Sequence, residues 1–317
     1  MSGRIFGRAA LVGCALLTWA GLGPLAASAS SARYRTIDVP GATGTNPWGI
    51  NNAGTIVGYY TDTPGGFTAS AYVLDAYVEQ GNRYKTINDP LASPTYGAEA
   101  LGINDKGVIV GDYLDSTGLL HGFIYQDGRY STLDDPNAGT GPFEGTVLSS
   151  INDRGLIDGY YFDSSGVWHG FVYEGHHFTA VNAPGAGTAA GQGTYVSHIN
   201  NRGVVSGAAF ESNGDDSAFI EQAGRFTTIT NPAGPTTTIV TWVNDRGVIG
   251  GGYEDTNSVE HGFTDSRGSF TPLNDPDAGT SSGQGTDPTN GNDHGTIVGY
   301  YVDEAGEQHG FEVTPGP

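Results

Sequence analysis

Cysteine is almost absent from this chain, and its one copy, Cys14, lies in an apolar N-terminal segment. That segment, residues 1–29, has a basic start, an apolar run and the small-residue sequence Ala27-Ser28-Ala29 at its end. This is the pattern of a secretory signal that is cleaved on export. The exported chain, residues 30–317, would contain no cysteine, which excludes disulfides and leaves core packing to stabilise it.

Two other interpretations of the N-terminal segment remain open. The sequence Leu11-Val12-Gly13-Cys14 resembles a lipoprotein signal, although the apolar stretch continues well past Cys14. A retained membrane helix is opposed by Gly21, Gly23 and Pro24, which interrupt a run barely long enough to span a bilayer. We favour the cleaved signal and therefore predict a secreted or periplasmic protein with no membrane insertion.

Basic residues are also scarce, since 13 Lys and Arg stand against 34 Asp and Glu, which gives a formal net charge of −21. A surface of this sign repels nucleic acid and anionic lipid, and it favours cations or basic partners. Solubility outside the cell is a second explanation of the same acidity. The charge therefore excludes a nucleic-acid partner without identifying a ligand.

Sustained helical periodicity and known catalytic motifs are both missing. After the N-terminal segment, no apolar pattern with helical spacing continues for long enough to form a helix of ordinary length. The chain lacks a nucleophile elbow, a zinc-binding helix signature, a phosphate loop and a dinucleotide fingerprint. The sequence leaves open whether the protein is an enzyme and favours a protein that is not.

The sequence does contain one motif repeated six times with a period of about 48 residues, in the range of propeller blades and solenoid units. The first anchor is an Asn that opens a tight polar turn ending in Gly, at Asn51, Asn104, Asn152, Asn200, Asn244 and Asn292. The second is a small residue followed by an aromatic one, at Ala71-Tyr72, Gly122-Phe123, Gly170-Phe171, Ala218-Phe219, Gly262-Phe263 and Gly310-Phe311. The third ends in a proline, at Pro40, Pro90, Pro136, Pro184, Pro232 and Pro276.

The segments between turns are short and rich in β-branched and aromatic residues, as in Val108 to Tyr113. Each copy supplies four of them, so we predict an all-β fold, a single domain that forms a six-bladed β-propeller. A β-solenoid is the alternative, but its rungs are usually far shorter. The last copy lacks an outer strand, and Tyr34 to Ile37 has no blade before it. This N-terminal strand should therefore complete the last blade and close the ring.

These repeats resemble the HAF repeats, a family of bacterial extracellular repeat proteins with a His-Ala-Phe signature. Here the signature is His-Gly-Phe in four copies and Ser-Ala-Tyr or Ser-Ala-Phe in two, accompanied by Gly-Ile-Asn-Asp-x-Gly and Leu-Asp-Asp-Pro segments. The resemblance implies an exported repeat protein and brings no established reaction or catalytic residue. Two copies depart from the pattern, because Gly291 replaces an inner-strand Ile and Gly207-Ala208-Ala209 replaces Gly-Tyr-Tyr.

Antiparallel order puts the tight Asn turns at one end of the ring, which we call the Asn-turn face. The loops between blades and the loops between the second and third strands lie at the other end, the long-loop face. Variable loops commonly carry function, so a ligand is expected on the long-loop face. Packing between blades is the other interpretation of the aromatic candidates. The candidate ligand-binding residues are Trp48, Tyr96, Phe143, Tyr195 and Trp242, with the acids Glu99 and Glu144.

An acid follows the second strand of every copy, at Asp62, Asp115, Asp163, Glu211, Asp255 and Asp303. A His comes soon after it in four copies, at His121, His169, His261 and His309, and a Ser in the other two, at Ser70 and Ser217. A ring of carboxylates and imidazoles could hold Ca²⁺ or a transition metal. We instead expect each acid to cap its own hairpin and to pair with its own His, with no cofactor required.

The sequence thus predicts a non-catalytic, monomeric binding module for a protein, a polysaccharide or cell-envelope material. The alternative is a hydrolase or lyase that acts on an extracellular polymer through carboxylates at the mouth of the central channel. Glycoside hydrolysis would require two carboxyl groups that converge on one cleft, and Glu99 and Glu144 are the candidates for them.

Overall fold

The structure is a computed structural model that describes residues 32–68, 73–214, 216–230 and 237–315. The predicted signal segment lies outside these residues, and so do the anchor residues Ser70, Ala71, Tyr72 and Pro232. None of the helical structure in the described part of the chain has the length and hydropathy of a membrane span. The prediction of a signal at residues 1–29 and of one domain at 30–317 stays a prediction.

The described chain is a ring of six four-stranded antiparallel blades, so the predicted six-bladed β-propeller is confirmed. One short 3-10 helix, Gly66–Thr68, accompanies the strands. Blade one consists of the second to fifth strands of the chain, and each of the next four blades consists of the four strands that follow. Blade six consists of the last three strands together with the first strand of the chain. The strands are β1 (Arg33–Ile37), β2 (Gly44–Ile50), β3 (Ile56–Thr61), β4 (Asp75–Gln80), β5 (Arg83–Thr86), β6 (Ala98–Ile103), β7 (Ile109–Leu114), β8 (Leu120–Gln126), β9 (Arg129–Thr132), β10 (Gly145–Ile151), β11 (Ile157–Phe162), β12 (Trp168–Glu174), β13 (His177–Val181), β14 (Gly193–Ile199), β15 (Val205–Phe210), β16 (Asp216–Gln222), β17 (Arg225–Thr228), β18 (Thr237–Val243), β19 (Val248–Glu254), β20 (Glu260–Ser266), β21 (Ser269–Leu273), β22 (Gly285–Gly291), β23 (Ile297–Val302) and β24 (Gln308–Thr314).

The N-terminal strand closes the ring as predicted. β1 pairs antiparallel with β24, with Tyr34 opposite Val313 and Ile37 opposite Gly310. The inner strands of blades six and one are also joined directly, because the Thr289 hydroxyl donates a hydrogen bond of 2.8 Å to the Pro47 carbonyl. Blade six is therefore built from both ends of the described chain.

The repeated signatures each have a packing role. In the tight turn of blade three, Asn152 Oδ1 accepts hydrogen bonds of 3.0 Å from the N–H groups of Arg154 and Leu156. The turn ends at Gly155 with a φ of 86°, a conformation that favours glycine. Among the described residues, the small residue before the core aromatic faces the next blade in blade three, since a Cβ placed at Gly170 would lie 2.5 Å from Val196.

The anchor asparagines join the blades in a closed ring. Each side-chain Nδ2 donates a hydrogen bond to the backbone carbonyl of the corresponding Asn in the next blade. The donors and distances are Asn51 (3.1 Å), Asn104 (3.1 Å), Asn152 (2.9 Å), Asn200 (3.0 Å), Asn244 (3.2 Å) and Asn292 (3.1 Å), and the last donates back to Asn51. The anchor therefore fixes both the turn within a blade and the spacing between blades.

A second ring follows one residue later in the chain, formed by Asn52, Asp105, Asp153, Asn201, Asp245 and Asp293. The backbone N–H of each residue donates to Oδ1 of the next at 2.7–2.9 Å. Asn201 Nδ2 also donates to Oδ2 of Asp153 (2.8 Å) and of Asp245 (3.0 Å), and Asn52 bridges Asp105 and Asp293 in the same way. Both oxygens of all four carboxylates are thus hydrogen-bonded.

Both departures from the repeat pattern are accommodated. Gly291 makes room for Trp242 of blade five, because a Cβ at Gly291 would lie 2.7 Å from the indole ring. Ala208 and Ala209 are buried in the clusters that join blade four to its neighbours. Blades four and six therefore pair as regularly as the others.

Candidate functional site

In blade three the acid and the His pair locally, as predicted. Asp163 Oδ1 caps its turn by accepting the N–H groups of Ser165 (2.8 Å) and Val167 (3.1 Å), while Oδ2 lies 3.0 Å from His169 Nε2. The imidazole stacks on Tyr161 at 4.8 Å. Burial alone would raise the pKa of Asp163, but the hydrogen bonds from His169, Val167 and Ser165 outweigh it and lower that pKa.

The other blades that carry His place it near the same acid, at 3.3 Å for Asp255 and His261 and at 3.7 Å for Asp115 and His121 and for Asp303 and His309. His121 and His309 differ from the prediction, because their hydrogen bonds are made through Nδ1 with Asp134 (2.8 Å) and Asp38 (3.0 Å). In blade four, Ser217 donates a hydrogen bond of 2.6 Å to Glu211 instead. Such a device, repeated once per blade, stabilises a hairpin and does not converge on one point.

The predicted aromatic candidates do not form one site. Tyr96 and Phe143 are half-buried and meet edge to face at 5.9 Å on the long-loop face. Trp48 packs on Tyr59, and Tyr195 is buried among the aromatics that fill the channel. Trp242 is buried near the Asn-turn end of β18, between blades five and six. For Trp242 and Tyr195 this location favours packing over ligand contact.

The two predicted acids have different surroundings. Glu144 accepts a hydrogen bond of 2.7 Å from the Gly141 N–H, and Gln192 and Gln284 do the same in the equivalent loops. Glu144 therefore shapes its loop. Glu99 is buried opposite Asp112, and burial together with the Glu99 charge raises the pKa of Asp112 well above its usual value. Neither Glu99 nor Glu144 is among the residues that line the cavity that opens over blade six, and their role as a catalytic pair stays a prediction.

A cavity of about 790 Å³ opens on the long-loop face over blade six. In blades two, three and five, the following inter-blade loop covers the hairpin through a backbone hydrogen bond, from Phe143 N to Gly118 O (2.7 Å), Gly191 N to Gly166 O (2.9 Å) and Gly283 N to Ser258 O (2.7 Å). The loop between β1 and β2 spans only residues 38–43, the shortest of the six. The hairpin of blade six is consequently left open, and its residues 305–309 line the cavity.

The walls of this cavity are acidic and polar with one phenyl ring. Phe67 comes from the 3-10 helix of blade one, and its ring packs edge to face on Tyr59 at 5.8 Å. Gln284 and Glu260 form the wall from blade five, and Tyr300 lies at the inner end towards the channel. The described lining residues include no Lys or Arg, so carboxylates, amides and hydroxyls determine what this cavity can accept.

Glu260 and Asp287 are two acids held close together, with Glu260 lining the cavity and Asp287 behind Tyr300. Tyr300 donates a hydrogen bond of 2.9 Å to Asp287 Oδ2. Burial, together with the charges of Asp287 and Glu254, raises the pKa of Glu260 to about 8. Burial also raises the pKa of Asp287 to about 6, against the opposing effect of the Tyr300 hydrogen bond.

Sequence reasoning missed this pair because neither acid belongs to a repeated anchor. Glu260 begins a third strand, where blades two and three have Leu120 and Trp168. Asp287 occupies an inner-strand position held by Val147 in blade three. One available signal was that the loop after Pro40 is much shorter than the related loops after Pro136, Pro184 and Pro276.

A smaller cavity of about 60 Å³ lies at the Asn-turn face, inside the two rings of turn residues. His198 is among the residues that line it, and burial lowers the pKa of His198 to about 4. The four carboxylates there are already satisfied by N–H donors. The hydrogen bonding therefore accounts for these carboxylates without a cation.

The sequence matches no protein-family model and no curated protein. In structure, the chain is similar to AofleA from Arthrobotrys oligospora, with a TM-score of 0.52 and 12% identity over 90% of this chain and 87% of that one. It is also similar to the six-bladed, fucose-recognising lectin of Aleuria aurantia (TM-score 0.47, 13% identity, 90% and 96% covered). A third similar structure is the Trypanosoma rangeli sialidase in complex with sialic acid (TM-score 0.48, 10% identity, 86% and 54% covered). At these identities the likeness concerns the fold alone.

Proposed function

We propose that this protein is a non-catalytic binding module that holds a glycan in the cavity over blade six. The observation that carries the proposal is the cavity itself. Its volume of about 790 Å³ lies in the range of small-molecule sites. Phe67 offers a face on which a sugar ring can stack, and Glu260, Gln284 and Glu307 offer acceptors for hydroxyl groups. The export predicted from residues 1–29 would bring the module to extracellular or envelope polysaccharide.

Glu260 and Asp287 favour a second candidate function, a hydrolase or lyase that acts on such a polymer. A glycosidase uses two carboxyl groups on opposite sides of the scissile bond. Here Asp287 lies behind Tyr300, to which it is hydrogen-bonded, and the residues that line the cavity include Glu260 and Tyr300 without Asp287. Only one of the two acids therefore faces a ligand, which supports binding over hydrolysis.

The test is a glycan-array screen, followed by affinity measurements and a turnover assay on every glycan that binds. Two variants change the cavity: Phe67→Ala removes the stacking face, and Ser282→Trp fills space at the exposed rim. We expect each to weaken binding by about tenfold or more: Phe67→Ala because it removes an aromatic contact together with its buried apolar area, and Ser282→Trp because the indole occupies space that the ligand needs.

Phe143→Ala is the control for Phe67→Ala, since Phe143 packs on Tyr96 in another loop of the long-loop face, outside the cavity. It should leave affinity unchanged. Equal losses in all three variants, or no loss in either cavity variant, would contradict the proposed location. Turnover of a bound glycan would replace the binding function by the enzymatic one.

A further inference from the structure

The inner end of the cavity combines negative charge with a lack of positive partners. Glu260 is anchored by its backbone, whose N–H donates a hydrogen bond of 2.8 Å to the Gln284 carbonyl. Its side chain lines the cavity and has no hydrogen-bond or ion-pair partner among the described residues. Glu254 and Asp287, the charged groups that act on it, are both acids.

Asp287 is held in place beside Glu260 by its neighbours on two blades. On its own blade, Tyr300 binds Oδ2. On blade five, Gly252 lies against the other oxygen, because a Cβ at Gly252 would be 3.0 Å from Asp287 Oδ1. The position of Gly252 in its blade corresponds to Tyr59 in blade one and to Tyr160 in blade three. The glycine thus makes room for a carboxyl group where other blades place a ring.

The remaining titratable groups around the pair do not neutralise it. Asp38 and Glu307 add negative charge at the rim. His309 is occupied by acids on both sides, since its Nδ1 is 3.0 Å from Asp38 and its Nε2 is 3.7 Å from Asp303. Across the channel lies Tyr195, whose pKa is raised by burial and by the charges of Asp158, Asp287 and Glu99. The charged groups that act on Tyr195 are therefore also acids, and none of them is a cation.

We propose that Glu260 forms a subsite for a protonated amine, with Tyr300 in the same cavity wall and the charge of Asp287 behind it, so that the preferred glycan carries an unacetylated amino sugar. This inference rests on the proposed glycan-binding function. An ammonium group can donate a charge-assisted hydrogen bond to Glu260 and reduce the repulsion between the two carboxyl groups, which a neutral hydroxyl cannot do. The overall net charge of −21 favours the approach of the same class of ligand.

Proton release is the distinctive consequence. With a pKa of about 8 in the free protein, Glu260 is largely protonated at neutral pH. An ammonium ligand favours the ionised form, so binding should release a proton from Glu260. Binding needs Glu260 ionised and the ligand amine protonated, so affinity should rise with pH as Glu260 ionises and fall once the amine loses its proton.

The experiment compares a glucosamine oligosaccharide with its N-acetylated counterpart of equal length by isothermal titration calorimetry. Titrations at neutral pH in buffers of different ionisation enthalpy measure the number of protons released. We expect the amine to bind at least about tenfold more tightly than the acetamide and to release protons, while the acetamide releases none.

Glu260→Gln should abolish both the preference and the proton release. It should also raise the melting temperature at neutral pH, because a neutral amide avoids the cost of protonating a buried carboxyl group on folding. Asp287→Asn, a second variant, should reduce the preference. Glu304→Gln is the matched control, since Glu304 is exposed on the same hairpin outside the cavity, and it should change neither quantity.

Equal affinity for the two oligosaccharides, with no proton release, would overturn the amine subsite and leave the glycan function standing. Failure of these and all array glycans to bind would overturn both. Proton release by CaCl2 alone, with no preference for the amine, would show that the acids serve a divalent cation and would also overturn the proposal.

Discussion

The ring of turn side chains at the Asn-turn face predicts a large effect for a one-atom change, Asn201→Asp. Asn201 Nδ2 donates to Asp153 and Asp245 at 2.8 and 3.0 Å, and the substitution removes both donors. It also adds a carboxylate between two others. A hydrogen bond to a charged group contributes roughly 1.5–3 kcal/mol when well shielded. Because these groups are only part-buried, we take the lower end for each and expect a loss of about 2–4 kcal/mol at neutral pH.

The assay is urea unfolding as a function of pH. The new carboxyl group would have a raised pKa in the folded state, because it faces two like charges. Its destabilising effect should therefore be full at neutral pH and should fade as pH falls through that raised pKa. Asn257→Asp is the control, since it adds the same charge to an exposed turn residue and should shift the midpoint little. A shift for Asn201→Asp no larger than the control, or one independent of pH, would refute the assignment of the ring.

Three further predictions concern the fold. Deleting residues 32–40 removes the partner of β24 and exposes its edge, so size-exclusion chromatography should show oligomers and the melting temperature should fall; an unchanged monomer would contradict ring closure. Asp163→Asn should cost about 0.5–2 kcal/mol in unfolding free energy through the weakened cap and His169 contact, and should leave ligand affinity unchanged; a loss of affinity would count against a purely local role. Burial raises the pKa of Asp158 to about 7, so its ionisation destabilises the fold increasingly as pH rises through that value; Asp158→Asn should therefore stabilise more above pH 7 than near pH 4, and the reverse order would be inconsistent with a buried carboxyl group.

The fold could be predicted because the information is local and repeated. Each Asn turn, each small residue before an aromatic and each strand pattern appears six times, so chance matches are averaged out. The unpaired strand at Tyr34 to Ile37 indicated how the ring closes, and β1 does pair with β24. The pairing of Asp163 with His169 followed from the same logic, because both lie within one hairpin.

The site could not be predicted in the same way because it depends on contacts between blades. Glu260 belongs to blade five and Asp287 to blade six, and the two acids meet only because these blades pack side by side. The sequence predicts Trp242 to be a ligand-binding residue of the long-loop face, yet Gly291 on the next blade provides the space in which Trp242 is buried. The bridging role of Asn201 likewise depends on Asp153 and Asp245, its two neighbours around the ring.

A crystal structure of the protein with the tightest-binding oligosaccharide from the array tests the central claim most directly. The account predicts a sugar ring stacked on Phe67 in the cavity over blade six, with its amine within hydrogen-bond distance of Glu260. A ligand bound instead at the pair Tyr96 and Phe143, or on the Asn-turn face, with the cavity over blade six containing only water, would contradict it.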